Sequence, residues 1–345
     1  MHTLPPSARR GVSALVLVSV LSLTCASTHA ADFTFGGKLF ADISQLQQNN
    51  HVAHTQGSAP DADLKRLYLD ADYAFDPVWS AHLTTDINWL RGHPDADFWI
   101  KHLYVQRKFG PATVVRVGVD DMPLLAFNSQ WYGYRYVDSI GTSMQKIDSV
   151  ADWGVHLKTR LAPTVDLAVS VVSGGGYKEP THGHRADVEA LLAWHTSKNT
   201  VLALGGYDGQ LAANDDPLRP LYHTARRIDL MAAYADDIWR FGARYAYASN
   251  WANLYTVQSD RASNWSSWAS LRIAPRWSVF ARYDYSKPNR LLTPSRKSTY
   301  ADAGVEWKPL KKLRLALVLK HNALESAGNL MRTSNEAGLW TEWAF

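Results

Sequence analysis

The side chains that could support catalysis or metal binding are scattered along this sequence. It has 13 histidines, and the closest notable pair, His182 and His184, follows a glycine-rich segment at Gly174 to Gly176. A solvated loop is the expected setting for this pair, which supplies at most two of the three or four ligands that a zinc site needs. No Gly-x-Ser-x-Gly, His-Glu-x-x-His or Gly-x-x-x-x-Gly-Lys pattern occurs. We therefore predict no catalytic residue, metal site or cofactor.

The chemistry that the sequence favours is electrostatic, because charged side chains alternate with apolar ones. Leu67, Leu69 and Ala71 share one parity, and charged residues occupy the other. If the second parity faces water inside a pore, its charges set the ion preference. The predicted pore-lining residues are Arg66, Asp70, Asp72, Arg116, Lys158, Arg160, Arg240, Arg244, Arg272, Arg282 and Arg314. Basic positions on neighbouring strands favour a mild anion preference, and the alternative is that interior acids pair with them and cancel it.

The elements that carry these residues are predicted to be long two-faced strands. Strict alternation over about 9 to 11 residues recurs, for example in residues 153–161, 277–285 and 337–345. Strands of soluble sandwiches are usually about 5 or 6 residues long. An apolar outward face and a polar inward face are typical of a transmembrane β-barrel. The fold class expected is therefore all-β, an antiparallel barrel in the membrane.

Short turns and long loops alternate along the chain, which allows the strands to be counted. The short turn-forming segments are residues 76–77, 110–111, 162–163, 197–199, 236–237, 274–275 and 309–312. Longer polar segments lie between them, such as residues 47–63, 173–185, 210–221 and 287–298. Seven turns join fourteen strands, and one further strand at each end gives sixteen. Both termini and the short turns are expected in the periplasm.

The aromatic residues support a membrane setting. The chain has 14 tryptophans and 16 tyrosines but a slightly polar mean hydropathy. Six tryptophans are predicted at one depth near the short turns, as an interfacial girdle requires: Trp79, Trp194, Trp239, Trp277, Trp307 and Trp343.

The third external loop is unusual in length and composition. Successive short turns are about 34 to 39 residues apart, except for about 52 between Gly110 and Ala162. Residues 120–149 are too apolar and aromatic for a solvated loop, so we predict that they fold into the barrel and form a constriction. The alternative is an outer lid or a contact between subunits. The residues singled out in this loop are Asp120, Asp121, Trp131, Tyr134, Arg135 and Tyr136.

The first thirty residues are predicted to be a signal peptide. Arg9 and Arg10 precede an apolar run over residues 12–23, and small residues lead to Ala30. Removal of residues 1–30 takes away the only cysteine, Cys25, and two of the 36 basic residues. The remaining 34 basic residues against 32 acidic ones leave a net charge of about +2, which does not favour nucleic acid as a partner. Residues 31–345 then form the barrel.

The chain resembles the porins, particularly the phosphate-selective porin O/P-type family. The resemblance rests on the stretch from Tyr134 to Val137, on the segment from Ala151 to Val155 and on the terminal Phe345. It implies an outer-membrane homotrimer that admits small hydrophilic solutes and sometimes prefers anions. The family's arginine ladder and lysine cluster do not align one by one with residues here.

The closing strand has consequences for assembly. Phe345 fixes its parity, which places Glu336, Trp340 and Glu342 on the inner side, and the strand is expected to pair with the one that starts near Phe33. Its end resembles the signal that the outer-membrane assembly machinery reads. Membrane lipid is the other expected partner. A structural or adhesin barrel and a barrel hydrolase remain as alternative functions.

Overall fold

The computed structural model describes residues 32–178, 180, 182–212, 223–251 and 258–345. The predicted signal peptide, residues 1–30, lies outside the described residues. The strands are β1 (Asp32–Asn50), β2 (Thr55–Ala74), β3 (Trp79–Trp89), β4 (Asp97–Phe109), β5 (Thr113–Asp121), β6 (Ala151–Ala162), β7 (Val165–Gly174), β8 (His182–Ser197), β9 (Thr200–Gly209), β10 (Ala225–Ala235), β11 (Trp239–Ser249), β12 (Arg261–Ala274), β13 (Trp277–Lys287), β14 (Lys297–Leu310), β15 (Leu313–Ser326) and β16 (Asn329–Ala344).

These strands close into one antiparallel barrel. Each pairs with its neighbours in sequence, and β1 pairs with β16, with Ala41 opposite Thr341 and Ile43 opposite Leu339. Closure removes the unpaired edges that an open sheet would expose. The prediction of a sixteen-stranded barrel is confirmed.

All seven predicted short turns join consecutive strands. The turn between β2 and β3 shows the local chemistry, since the Asp76 carboxylate accepts hydrogen bonds from the N–H groups of Val78 and Trp79 at 2.7 and 2.6 Å. Asp236 accepts the same two bonds in the turn from β10 to β11. A short acidic side chain can thus satisfy the turn's own backbone, which is why these turns are visible in the sequence.

Two of the predicted long loops are shorter than expected. Residues 47–63 are predominantly strand, because β1 and β2 continue their pairing outward with Gln47 opposite Ser58. Backbone ladder bonds can continue between two polar strands, so the polar composition was misleading here. Strand β8 begins at His182, so His182 and His184 lie in a strand and the prediction of a loop for them is wrong.

The outer face of the barrel is apolar and carries aromatic residues near its rims. All six tryptophans predicted for the girdle are exposed on this face, and Trp277 stacks on Trp307 with ring centroids 5.8 Å apart. Trp89, Trp153 and Trp265 are exposed nearer the opposite end. Two helices complete the described structure, α1 (Pro123–Tyr132) and α2 (Gly141–Met144). Neither is long and apolar enough to cross a membrane.

The carboxy-terminal residue is tied to the first strand. The Phe345 N–H donates to the Gly37 carbonyl at 3.1 Å, and the Gly37 N–H donates to the Phe345 carbonyl at 3.2 Å. A Cβ on Gly37 would lie 2.4 Å from the Phe345 ring, so only glycine leaves room for this contact. The terminal aromatic residue thus helps to close the barrel.

Candidate functional site

The interior of the barrel holds the segment between β5 and β6, residues 122–150, which we call the inner loop. Its helix α1 contacts β7, β8, β10 and β11, and α2 contacts β12. One face of α1 is buried against this wall, including Leu124, Leu125 and Tyr132. The predicted inward folding of the third loop is confirmed. The loop begins two residues later than predicted, because Asp120 and Asp121 are the last residues of β5.

An aromatic core fixes the inner loop against the wall. The Tyr134 ring stacks on Phe280 of β13 with centroids 4.2 Å apart, and Tyr132 meets Trp268 of β12 edge-on at 6.0 Å. Tyr136 is fully buried in the same cluster, which also contains Trp340 of β16. Packing of this kind explains why the segment is so aromatic, since these rings pack inside the barrel instead of facing solvent.

Basic side chains of the wall hold the backbone of the inner loop. Their hydrogen bonds to loop carbonyls are Arg227 to Ile147 (2.8 Å), Arg240 to Gln130 and Trp131 (both 2.9 Å), Arg282 to Ser139 (2.6 Å), Arg314 to Gly133 (2.9 Å) and Lys320 to Val137 (2.9 Å). Buried carbonyl groups outside regular structure need such donors. We call these five residues the loop anchors.

Acidic partners neutralise most of the loop anchors. Arg227 pairs with Glu189 of β8 at 2.5 Å, and Glu189 also accepts the Leu124 N–H at 2.8 Å. The other pairs are Arg282 with Asp284, Arg314 with Glu306, and Lys320 with Asp138. Among the described residues, Arg240 has no carboxylate within 4 Å. A buried cation that loses its carboxylate partner destabilises the fold, so substitution of either member of these pairs is expected to be destabilising.

One loop carboxylate is held in its charged form by this network. Burial alone would raise the pKa of Asp138, but Lys320, Lys65 and Arg282 outweigh it and lower the pKa to about 2. Lys320 approaches this carboxylate at 3.2 Å, and the Tyr300 hydroxyl donates to it at 3.3 Å. Asp138 is therefore ionised at any ordinary pH.

The wall formed by β4 to β6 carries a cationic group that the loop leaves partly open. Arg116 and Lys158 both approach the Asp120 carboxylate, at 2.8 and 3.5 Å. The Arg116 guanidinium also lies 4.4 Å from the centroid of the Tyr104 ring. The Lys158 side chain is 42% exposed, whereas that of Asp120 is 2% exposed. Two cations thus share one buried carboxylate, and this wall presents a positive charge.

A second polar network lies on β2 to β5. Lys101 and His102 approach Asp121 at 2.7 and 3.0 Å. The His82 ring meets Asp72 at 2.6 Å, and the Thr84 hydroxyl donates to Asp70 at 2.6 Å. Arg66 lies 3.5 Å from Asp86. No group of three potential metal ligands occurs in the described ranges.

The structure separates the eleven predicted pore-lining residues into three sets. Seven of them contact other side chains or the inner loop inside the barrel: Arg66, Asp70, Asp72, Arg116, Lys158, Arg240 and Arg314. Arg160 and Arg272 lie at the end with the short turns, where Arg160 pairs with Asp166 at 3.3 Å. Arg244 and Arg282 are only 2% and 3% exposed, because the inner loop covers them.

The residues singled out in the third loop take different positions. Trp131 lies in α1, whereas Tyr134, Arg135 and Tyr136 lie between the two helices. Arg135 donates to the Ser129 hydroxyl at 3.5 Å and also contacts Tyr68 of β2.

The loop anchor Arg227 and the loop carboxylate Asp138 were not singled out from the sequence. Arg227 has the same parity as Asp229, and parity alone could have identified it as an inner residue. Asp138 had no such signal, because it lies in the irregular part of the loop.

Solved structures with the same fold include outer-membrane proteins. The anion-selective porin from Comamonas acidovorans matches with a TM-score of 0.67 and 12% identity, over 91% of this chain and 100% of that one. OmpF of Salmonella typhi, in a complex with daunomycin, matches with a TM-score of 0.65 and 11% identity, over 91% and 98%. The trimer form of OmpT from Vibrio cholerae matches with a TM-score of 0.56 and 11% identity, over 92% and 100%.

The comparisons of sequence give no closer relationship. No protein-family model matches the chain, and no curated protein matches it either. At 11 or 12% identity, the structural likeness establishes the porin fold and nothing finer.

Proposed function

We propose that this chain is a porin of the Gram-negative outer membrane, a water-filled channel for the passive diffusion of small hydrophilic solutes and ions. The observation that carries the proposal is the inner loop, which is packed against the inside of a closed barrel and leaves charged side chains of β5 and β6 partly exposed, such as Lys158. A loop held by five anchors narrows a channel without filling it. The inner loop is thus the proposed constriction.

The outer face supports a location in a membrane. Exposed apolar side chains cover it, and exposed tryptophans mark both rims, as lipid and its two interfaces require. We propose that residues 1–30 direct export and that the assembly machinery inserts the barrel into the outer membrane.

A mild anion preference is part of the proposal. Arg116 and Lys158 share Asp120, and Arg240 binds loop carbonyls instead of a carboxylate. These positions give a local surplus of positive charge on parts of the inner wall, and a low-dielectric wall focuses its field. The segment from Arg116 to Leu161 also carries the resemblance to phosphate-selective porins, which makes phosphate one candidate solute.

We further propose a homotrimer. The most exposed apolar side chains of the barrel wall include Ile43 (68%) on β1 and Leu317 (65%) and Leu319 (68%) on β15, the two strands that flank β16 at the closure of the barrel. They lie beside the small residues Ala41, Ala303 and Ala337, which leave the surface flat. A flat apolar strip suits a contact with a second copy of this chain.

Liposome swelling tests the channel function against the alternatives. Refolded protein in liposomes should admit small sugars and sugar acids and exclude larger oligosaccharides. Liposomes that do not swell would remove the porin proposal and favour a structural or adhesin barrel, or a barrel hydrolase.

A further inference from the structure

A recess of about 460 Å³ lies between helix α1 and the wall formed by β5 to β8. Pro111 and Ala112 border it, so it lies at the end of the barrel where the short turns are. We call it the α1 recess. Its volume falls in the range of sites that bind small molecules, about 300 to 1,000 Å³.

The floor of the α1 recess is apolar and aromatic. Ala168, Leu191 and Ala193 line the wall side, and Phe127 and Trp131 line the helix side. Phe127 and Trp131 are half-buried, and their ring centroids are 6.3 Å apart at an angle of 50°. The Trp131 ring also lies 6.4 Å from that of His195. The planar ring of a ligand in this recess can contact the faces and edges of these side chains at the distances that aromatic pairs prefer.

Polar side chains border the α1 recess and leave a single positive charge. Lys158 and Arg160 line it, and Arg116 shares Asp120 with Lys158. Asp166 accepts from Arg160 at 3.3 Å and lies 3.1 Å from His195. The three cations Arg116, Lys158 and Arg160 face the two carboxylates Asp120 and Asp166, and the charge left over suits a monovalent anion.

We propose that the α1 recess binds a small aromatic monocarboxylate, with its ring against Phe127 and Trp131 and its carboxylate at Lys158. This inference rests on the proposed channel function, since it names a solute class that the channel would select. An apolar floor with a cation at its border favours such a molecule over an alkyl acid, which lacks the ring, and over a neutral aromatic, which lacks the charge. The inner loop would then contribute to selectivity as well as to the width of the passage.

Calorimetric titration of the refolded full-length mature chain in detergent tests this site with benzoate, and with acetate and benzyl alcohol for comparison. Heats from empty micelles are subtracted. Benzoate should bind saturably, and at least about tenfold more tightly than either comparison ligand, because each lacks one of the two contacts. Trp131→Ala should raise the Kd for benzoate about fivefold, the order expected for a lost aromatic contact.

Trp153→Ala is the matched control, because Trp153 lies on β6 but is exposed on the outer face. Its Kd should equal that of the wild type. If Trp131→Ala does not refold, as judged by circular dichroism, Phe127→Leu takes its place. Heats that do not saturate, equal affinity for acetate, or an equal effect of Trp153→Ala would each overturn the site. Liposomes that swell without benzoate binding overturn this inference alone, whereas benzoate binding without swelling overturns the channel function and leaves the site.

Discussion

At the scale of single residues, the position of a charge inside the barrel decides what it can do. Arg116 and Lys158 share one buried carboxylate on an open wall, whereas Arg244 and Arg282 lie under the inner loop. The sequence shows which face of a strand each residue occupies, because the side-chain period is two. It does not show which inner residues the loop will cover, since that depends on packing between segments far apart in sequence.

Lys158 is predicted to be a determinant of ion preference. Lys158→Glu replaces a cation with an anion beside Asp120, so the wall becomes negative and the anion preference should fall or reverse. Reversal potentials across a salt gradient measure this. Arg226→Glu is the control, because Arg226 has the outward parity of Ile228 on β10 and its side chain is 68% exposed. A Lys158 variant with the wild-type reversal potential would show that this lysine does not face the permeating ions.

Asp138 makes the anchoring of the loop depend on pH in a defined direction. Its pKa is lowered to about 2, below the value of about 3.9 for an unfolded chain. The stability it contributes is therefore fully present above about pH 4 and is lost as the pH falls through about 2. The inner loop should therefore stay anchored between pH 7 and pH 4, and single-channel noise should not change in that range. Below about pH 3, Asp138 becomes protonated, so the noise should rise.

Lys320→Met should shift the pH at which single-channel noise begins to rise. Without the lysine, the burial of Asp138 is less well compensated, so its pKa should rise and the noise should begin at a higher pH. Lys297→Met is a control, since Lys297 is exposed at the start of β14. Onset at the same pH in wild type and Lys320→Met would contradict the role assigned to this pair.

At the scale of elements, local chemistry made the turns and strands predictable. Asp76 and Asp236 close their turns with bonds to residues two and three positions ahead, so the signal and the structure lie in the same few residues. The outward extension of β1 and β2 was missed because neither face is apolar there, and only the pairing of one polar strand with the other defines it. The inward loop was found from composition, whereas its anchors Arg240, Arg282 and Arg314 were predicted only to line the pore.

Tyr134 is predicted to keep the inner loop in place. Tyr134→Ala removes a ring stacked on Phe280, and the loss of a buried aromatic side chain costs about 3–5 kcal/mol. The loop should then move more freely, so single-channel conductance should become larger and noisier, and deletion of residues 131–136 should raise it further. Tyr283→Ala, on the exposed outer face of the strand that carries Phe280, should conduct like the wild type. Unchanged conductance in both loop variants would argue that the loop does not limit the passage.

At the scale of the whole molecule, closure depends on the contact between the two ends of the barrel. Deletion of Phe345 removes two backbone hydrogen bonds to Gly37, and Gly37→Ala forces the Phe345 ring away. Both changes should lower the amount of assembled barrel in the outer membrane, measured in membrane fractions after expression. Gly57→Ala is the matched control, because a Cβ on Gly57 would meet nothing within 4 Å. Wild-type levels of the two altered proteins would show that closure does not need this contact.

The barrel as a whole was predictable because one pattern recurs in strand after strand, and an even number of strands allows the first and last to pair antiparallel. The structure adds that most cations under the inner loop are paired with carboxylates, whereas Arg116 and Lys158 on β5 and β6 share a single carboxylate. If the protein is the proposed channel, ions should pass along the part of the inner wall that the loop leaves uncovered.

Conductance of the refolded protein in a planar bilayer, with a salt gradient across it, tests this account most directly. We expect stable single-channel steps and a reversal potential whose sign shows that anions pass more readily than cations. A bilayer that stays silent would contradict the channel, and a clear cation preference would contradict the role given to Arg116, Lys158 and Arg240.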